Sequence, residues 1–262
     1  MRRTAAILSL ASVIALAGCG GPAPTPETFE WAGHPIQLLT PPRDWVRSGY
    51  NEGGWLGASF IHARSVEERI TVAEHQLIAR RDGRPKIAEL LARFASYDEG
   101  QLREELQLAR YRTDQPLSSQ EAGVAQRVND ALDRAVSASY QRDSLALRQQ
   151  LTEALAEAGQ LRLTLADCLQ RVTFRPDEAK EPARWTEKAR RDGIVAGEPA
   201  LIIDYIYKGD DREYLSRDIY FARDNRLFTA GYFGLASDLP MFEHVVGSIQ
   251  LPAWDPAQAT PR

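Results

Sequence analysis

The sequence lacks the short motifs by which many enzymes and cofactor-binding proteins can be identified. Its 262 residues include only two cysteines and four histidines. They contain no glycine-rich phosphate loop, no Cys-x-x-Cys, no His-Glu-x-x-His and no Gly-x-Ser-x-Gly. We therefore expect no cofactor and no metal site, and an enzyme is less expected than a binding protein.

An excess of positive charge is absent as well. The formal net charge is -4 at pH 7, and basic residues are interleaved with acidic ones, as in Arg190-Arg191-Asp192. No basic block is combined with aromatic residues, which is the pattern typical of nucleic-acid-binding surfaces. A nucleic-acid partner is therefore not expected.

The N-terminus carries the most specific pattern in the chain. Met1-Arg2-Arg3 supplies positive charge, and residues 5–17 form an apolar run interrupted only by two serines. This order is typical of a secretory signal peptide, and the run is shorter than the roughly 20 residues that a membrane-spanning helix needs. The end of this run and the two residues after it, Leu16-Ala17-Gly18-Cys19, resemble the lipobox of bacterial lipoproteins at all four positions.

This resemblance implies that residues 1–18 are removed and that Cys19 is lipidated. The fatty chains would hold the protein on a membrane, because each buried methylene contributes about 0.8 kcal/mol. Gly20 stands where inner-membrane lipoproteins of Gram-negative bacteria carry aspartate. The resemblance therefore implies a location in the cell envelope, at the outer membrane facing the periplasm. Spaced prolines in residues 19–28 predict an extended tether.

The second cysteine, Cys168, then has no disulfide partner within the chain. A domain without an internal disulfide depends on packing for its stability. No histidine and no paired cysteine lies near Cys168 in the sequence. We therefore expect a small, buried, apolar residue here and not a reactive thiol.

Residues 29–252 are predicted to form a single α+β domain. Runs of β-branched and aromatic residues predict strands at residues 36–39, 55–62 and 70–78. The last two should form a hairpin joined by the polar residues 65–69. From about residue 85 to 159 the apolar residues recur at helical spacing, and Ser118-Ser119-Gln120-Glu121 is a capping box. A helical insertion is therefore expected in the middle of the chain.

The C-terminal part predicts an antiparallel sheet covered by a helix. Three β-rich runs are separated by turn-forming residues, and they lie at residues 201–207, 214–221 and 227–233. Ser237-Asp238 then begins a helix with Leu239, Phe242, Val246 and Ile249 on one face. Residues 183–197 form a further strand or an irregular crossing, and residues 253–262 form a flexible tail.

The two ends of the domain resemble a known fold. Residues 36–45, the strands within 197–233 and the helix at 239–249 are similar to the α/β sandwich of PsbP-like and DcrB-like proteins, in which a curved antiparallel sheet lies between helices. The helical middle is longer than this pattern. The resemblance implies a binding, chaperone-like or assembly module, and it carries over no catalytic residue.

Two acidic residues form the candidate site within the domain. If the loop at residues 209–213 is centred on Asp211, then Asp204 and Asp218 lie directly opposite each other on neighbouring strands. Facing carboxylates persist when they are solvated, bridged by Arg or Lys, partly protonated or bound to a cation. Four tyrosines nearby suit either a ligand surface or core packing: Tyr205, Tyr207, Tyr214 and Tyr220.

Two histidines are a second candidate. His62 and His75 lie on the arms of the predicted hairpin, and one register would bring them together as metal ligands. Ordinary surface or cross-strand histidines are the preferred interpretation.

Three functional hypotheses follow. The first is a membrane-anchored envelope lipoprotein that binds an envelope protein or a small ligand without catalysis. The alternatives are an envelope hydrolase that uses Asp204 and Asp218, and a structural adaptor that docks through the helical insertion. A deep pocket that gathers both aspartates would favour the hydrolase, whereas an exposed apolar groove would favour binding.

Overall fold

The computed structural model describes residues 26–31, 34–42, 44–52, 54–63, 65–79, 81, 83–111, 116–174 and 181–251. The signal peptide, Cys19 and the C-terminal tail that the sequence predicts lie outside these residues. Within the described ranges, no helix combines the length and the apolar composition needed to cross a membrane.

The described strands form one large and one small sheet. They are β1 (Pro26–Trp31), β2 (His34–Leu39), β3 (Trp45–Glu52), β4 (Trp55–His62), β5 (Ser65–His75), β6 (Trp185–Val195), β7 (Glu198–Lys208), β8 (Glu213–Arg223) and β9 (Arg226–Gly234). β1 pairs only with β2, and the other seven form an antiparallel sheet in the order β3-β4-β5-β9-β8-β7-β6. The central pairing of β5 with β9 joins the two β-rich ends of the chain.

The helices lie mostly in the insertion between β5 and β6. They are α1 (Gln76–Ala79), α2 (Arg84–Arg93), α3 (Glu99–Leu108), α4 (Ser119–Tyr140), α5 (Ser144–Ala158) and α6 (Leu165–Leu169), and α7 (Leu239–Gly247) follows β9. A short 3-10 helix at Phe94–Ser96 joins α2 to the start of α3. The α+β fold class, with an antiparallel sheet and a helical insertion, is therefore confirmed.

The sheet has two buried faces. On one face, which we call the α7 face, Phe60, Val72, Phe228 and Tyr232 pack in a core that also contains Phe242 of α7. On the opposite face, which we call the insertion face, strand residues and helices α2 to α6 share a second core. Its members include Ile87, Val128, Leu132, Leu151, Ile203, Tyr205, Tyr220 and Leu227. The sheet is thus the middle layer between α7 and the helical insertion.

Local signals in the sequence explain where the insertion helices begin. The hydroxyl of Ser118 accepts a hydrogen bond from the backbone N–H of Glu121 at 3.1 Å, as the capping box predicts. The Glu121 side chain does not return to Ser118, because it accepts from Arg81 at 2.7 Å and from the backbone of Leu117. Asp143 begins α5 in the same way and accepts from the backbone N–H groups of two later residues.

Two predicted boundaries were wrong. Residues 65–69, predicted as a turn, are part of β5, which ends at His75 and is followed by α1. Their charges suggested exposure, but Glu68 is buried beside His62. The predicted tether also ran too far, because β1 begins at Pro26 and pairs that residue with Leu39. A proline is compatible with the first position of such a strand.

The prediction for Cys168 is confirmed. The residue lies in α6, its side chain is buried, and it is a free cysteine. Burial raises the pKa of its thiol to about 12, so the reactive thiolate is scarce at neutral pH. Cys168 is a packing residue of the insertion core.

The turn between β8 and β9 connects the sheet to the insertion. Asp224 and Asn225 both have positive φ, 52° and 62°, which is the conformation of a tight two-residue hairpin turn. The buried amide of Asn225 donates to the carbonyl of Leu161 at 3.2 Å and accepts from the N–H of Leu163 at 2.8 Å. One side chain therefore satisfies two backbone groups at the end of the insertion.

We expect Asn225→Gly to lower the free energy of unfolding by about 1–3 kcal/mol, because it leaves two buried backbone groups without partners. Glycine tolerates the positive φ, so the decrease in the free energy of unfolding is due mainly to the missing side-chain amide. Asp224→Gly is the matched control and should leave stability unchanged or slightly higher. Urea unfolding followed by circular dichroism measures both. Equal losses in the two variants would contradict the role of the amide.

Candidate functional site

The predicted pairing of Asp204 with Asp218 is wrong by one residue. Asp204 lies opposite Arg217, and Asp218 lies opposite Ile203. The loop is shorter than expected, since the N–H of Gly209 donates to the carbonyl of Arg212 at 2.9 Å and closes a tight turn. Because side chains alternate between the faces of a strand, this shift places the two aspartates on opposite faces of the sheet. They cannot act on one ligand or cation.

Asp204 belongs to a chain of ion pairs on the α7 face. Its carboxylate accepts from Arg217 Nε at 2.6 Å and from Arg191 Nη1 at 2.6 Å. Arg217 also donates to Glu243 of α7 at 2.6 Å. The chain connects β6, β7 and β8 to α7, so it fixes the position of that helix over the sheet. Bridging by arginine was one of the arrangements that the sequence allowed for the two acidic residues, beside solvation, protonation and cation binding.

The electrostatics of Asp204 follow from these contacts. Burial acts to raise the pKa of its carboxyl group, but the hydrogen bonds from Arg217 and Arg191 outweigh burial and leave the pKa below its usual value. Asp204 is therefore ionised at neutral pH and has a structural role.

Asp218 lies on the insertion face and is only 3% exposed. Three of the four tyrosines singled out in the sequence are also buried on this face: Tyr205, Tyr214 and Tyr220. The fourth, Tyr207, packs against Trp185, with ring centroids 4.9 Å apart. Phe233 stacks on Tyr214 in the same cluster, with ring centroids 5.2 Å apart. Core packing therefore accounts for the tyrosines better than an exposed ligand surface does.

The two hairpin histidines do not meet. His75 pairs with Trp55 at one end of the hairpin, whereas His62 pairs with Ser65 beside the turn at the other end. His62 Nε2 lies 3.3 Å from Asp44 and its Nδ1 lies 3.4 Å from Glu68. The ring of His75 packs edge-on against Trp55, with a centroid distance of 4.7 Å. Among the described residues, no group of three or more His, Cys, Asp or Glu side chains is arranged to hold a metal ion.

The helical insertion carries an open cleft of about 320 Å³ at one end. It lies where the 3-10 helix, the first turn of α3, the last turn of α4 and the first turn of α5 come together. Its lining residues are Phe94, Ala95, Tyr97, Glu99, Leu102, Ala138, Ser139, Arg142, Asp143, Ser144 and Leu147. The volume is at the lower end of the range for ligand pockets, roughly 300–1,000 Å³.

The floor of the cleft is apolar. Leu102, Ala138 and Leu147 are buried and belong to the insertion core, and Phe94 and Tyr97 are half-buried above them. Of these residues, Phe94 and Leu102 belong to the helical stripes that the sequence predicts as core. The cleft is therefore a place where the insertion core lies just below the surface.

Arginines surround the cleft and lie over its aromatic rings. The guanidinium carbon of Arg148 is 5.7 Å from the ring centroid of Phe94, and that of Arg93 is 5.7 Å from Tyr97. Arg103 lies over Tyr140, next to the lining residue Ser139, at 4.8 Å. Cation–π contacts of this kind keep a positive charge beside an apolar surface.

The acidic residues of the cleft are partly engaged. Glu99 accepts from Arg103 at 2.8 Å, and its other oxygen lies 3.9 Å from Arg142. One oxygen of Asp143 accepts the two backbone N–H groups that begin α5. Arg142 is 86% exposed and has φ of 55°, a left-handed conformation that directs the chain from α4 into α5. The lining thus contains two carboxylates and one arginine, Arg142.

Comparisons with known proteins show a distant likeness of structure. No protein-family model and no curated protein matches the sequence. The solution structure of the cyanobacterial PsbP protein CyanoP from Synechocystis is 12% identical, with a TM-score of 0.40, and the match covers 90% of this chain and 99% of that one. A protein of unknown function from Pseudomonas aeruginosa is 10% identical, with a TM-score of 0.25, over 83% and 88% of the two chains. At these values neither structure indicates a function, and the PsbP-like resemblance remains a weak likeness of fold.

We expect Asp204→Asn to lower the free energy of unfolding at neutral pH by about 1–3 kcal/mol, because it weakens two charged hydrogen bonds. A carboxyl group with a depressed pKa stabilises the fold when it is ionised, so the difference from the wild type should shrink as the pH falls below its usual pKa of 3.8. Urea unfolding as a function of pH measures this. The exposed ion-paired residue Asp210 supplies the control, because Asp210→Asn should change stability little. A pH-independent difference would contradict the ion-pair account.

Proposed function

We propose that the protein is a membrane-anchored lipoprotein of the cell envelope that acts as a non-enzymatic binding module. Lipid on Cys19 holds it at the outer membrane, on the periplasmic side, and the folded domain binds its ligand through the helical insertion. The proposal combines the N-terminal sequence with the geometry of the domain.

The binding role is supported by the open cleft of the insertion. It is open, Leu102 and Leu147 of the insertion core form its floor, and both apolar and polar side chains line it, so it offers groups of both kinds to a ligand. The acids proposed for hydrolysis are separated by the sheet, and arginines neutralise Asp204. An open cleft that contains neither aspartate favours binding over hydrolysis by these acids.

The lipobox supports the anchoring role. Leu16-Ala17-Gly18-Cys19 follows a basic start and an apolar run of the right length for a cleaved signal. Two or more acyl chains on one cysteine hold a protein on a membrane stably. Lipid at the N-terminus would confine the binding cleft to the space next to the membrane.

A structural adaptor is the second candidate, and one observation favours it. Three large apolar residues of the insertion are exposed to solvent: Leu108, Tyr140 and Leu145. Exposed apolar side chains of this size are of the kind that contact surfaces between proteins use. In this case the insertion would dock to another envelope protein, and the sheet would serve as its support.

We expect Cys19→Ala to move the protein from the membrane fraction to the soluble periplasmic fraction, because the acyl chains are lost. Mass spectrometry of the mature wild-type protein should find the lipid on Cys19. Cys168→Ala is the matched control, since it removes the other cysteine and should leave the protein at the membrane. An unmodified Cys19 in the mature chain, or fractionation that Cys19→Ala does not change, would overturn the anchoring role.

A further inference from the structure

We infer that β3, one edge strand of the seven-stranded sheet, pairs with β3 of a second copy of the chain, so that the two sheets continue into each other across a two-fold axis. This interface goes beyond the proposed function, because it concerns self-association, and β3 contributes no residue to the cleft of the insertion. Three features support it: the open edge of β3, the absence of structures that normally prevent pairing, and the order of the side chains along the strand.

The outer edge of β3 is exposed along most of its length. Among the described residues, only β4 forms a ladder with it, so the backbone groups that point away from β4 have no partner strand there. From Val46 to Glu52 every residue except the half-buried Tyr50 is exposed. A Cβ placed on Gly49, in the middle of the strand, would have no atom within 4 Å. An extended edge of this kind is a template for a further strand.

The opposite edge of the sheet, β6, carries features that prevent such pairing. Its register with β7 shifts between Glu187 and Ala189, and the exposed Lys188 lies at this irregularity. Bulges and lysines on an edge strand interrupt the ladder that an added strand needs. β3 has neither, because its register with β4 is continuous from Trp45 to Glu52 and it contains no lysine and no proline. β3 is therefore the edge that accepts a further strand.

The order of the side chains on β3 matches a second copy of itself. Two identical antiparallel strands keep the same faces of their sheets on the same side only when the two-fold axis passes through a residue, which then faces its own copy. With the axis at Ser48, Val46 lies opposite Tyr50 of the second copy, and this pair occurs twice. These three residues lie on the insertion face, because Arg47 pairs with Phe60 of the α7-face core and side chains alternate along a strand.

This register buries the exposed apolar residue of the edge. Val46 is 58% exposed, and a cross-strand pair of a β-branched and an aromatic residue stabilises an antiparallel sheet. Arg47 would face the second copy's Gly49, where there is space for a long side chain. Glu52 would face Asp44 only at the exposed ends of the interface, where solvent and salt screen the repulsion. An axis at Gly49 would instead place Val46 opposite Glu52, so the register centred two-fold on the preceding residue is preferred.

The interface is narrow, so the dimer should be weak in dilute solution. Stable interfaces between proteins bury about 1,200–2,000 Å² in total, and a single added pair of short strands buries less. A weak contact becomes populated when the two partners are held close together. Lipid anchors on one membrane surface would supply this condition, and every copy carries the matching strand. Covalent capture is therefore a more suitable test than sedimentation.

The test is disulfide formation through one introduced cysteine. The protein is the full chain with Cys19→Ala and Cys168→Ala, which removes both native thiols. In Ser48→Cys the two thiols would face each other across the axis. Directly opposed residues have Cα atoms about 4.5–5.5 Å apart, within the roughly 4.4–6.8 Å that a disulfide bridges. We expect mild oxidation by copper–phenanthroline in air to give a covalent dimer on a non-reducing gel, and reduction to remove it.

Two other single cysteines are the controls for register and edge. In Val46→Cys the thiols would be four residues apart along the strands, roughly 13 Å, so its dimer should form at least about tenfold more slowly. Thr186 is exposed on β6, and Thr186→Cys should be equally slow. A mixture of the Val46→Cys and Tyr50→Cys chains should form the mixed dimer at a rate close to that of Ser48→Cys.

A charge placed on the axis tests the pairing itself. Ser48→Lys would set two lysines directly opposite each other, and like charges in this position destabilise a ladder. Added to both chains of the Val46→Cys and Tyr50→Cys mixture, it should slow the mixed dimer at least about tenfold. Thr186→Lys is the matched control on the other edge and should leave the rate unchanged. Circular dichroism checks that every variant is folded.

Three results would overturn the inference. The first is a folded Ser48→Cys chain whose thiols stay reactive and form no dimer. The second is a dimer of Val46→Cys alone, or of Thr186→Cys, that forms as fast as that of Ser48→Cys, because it would indicate random collision. The third is an unchanged rate with Ser48→Lys. Each of them is independent of the membrane fractionation that tests the lipid on Cys19.

Discussion

The hydrogen bonds of Asn225 join the two halves of the domain. Its left-handed backbone forms the tight turn between β8 and β9, and its side-chain amide holds the chain at Leu161 and Leu163 where the insertion ends. The same residue therefore contributes to the pairing of two central strands and to the position of the helices over them. Because the insertion core includes residues of both the helices and the sheet, this connection also supports the cleft at the other end of the helices.

Strand register decides what the acidic residues can do. Asp204 opposite Arg217 is a largely buried charge pair on the α7 face, whereas Asp218 lies on the face covered by the insertion. A shift of one residue would have placed two carboxylates side by side and would have created a candidate cation site. The closed turn between Gly209 and Arg212 is the feature that excludes this arrangement. The sheet therefore does not bring the two aspartates together at one site.

Much of the fold could be predicted from the sequence, because local patterns control it. The meander of β7 to β9 follows from alternating apolar residues between turn-forming pairs, and the start of α4 follows from the hydroxyl of Ser118. The pairing of β5 with β9 could not be predicted in this way, since it joins segments about 150 residues apart, such as Glu74 and Phe228. Burial of Glu68 was missed for the same reason, because Asp238, which interacts with its carboxyl group, is 170 residues away in the sequence.

The cleft could not be predicted from the sequence for a related reason. Its floor residues, such as Leu102 and Leu147, are part of regular apolar stripes and look like ordinary core. The arginines around it look like an ordinary solvated surface, and only packing of the helix ends brings Arg148 over Phe94. Aromatic residues at the ends of predicted helices, with arginines close in sequence, were the signal that could have indicated this region.

The central claim is that the domain binds its ligand through the insertion and not through the sheet. Leu145 beside the cleft and Ile194 on the edge strand β6 are both 78% exposed, so they form a matched pair of positions. A photo-reactive amino acid placed at either position forms a covalent crosslink, on illumination of intact cells, with a molecule that lies next to it. The account predicts that position 145 captures an envelope component, that Ala95→Phe abolishes the capture, and that position 194 captures nothing comparable. Capture from position 194 alone would contradict it.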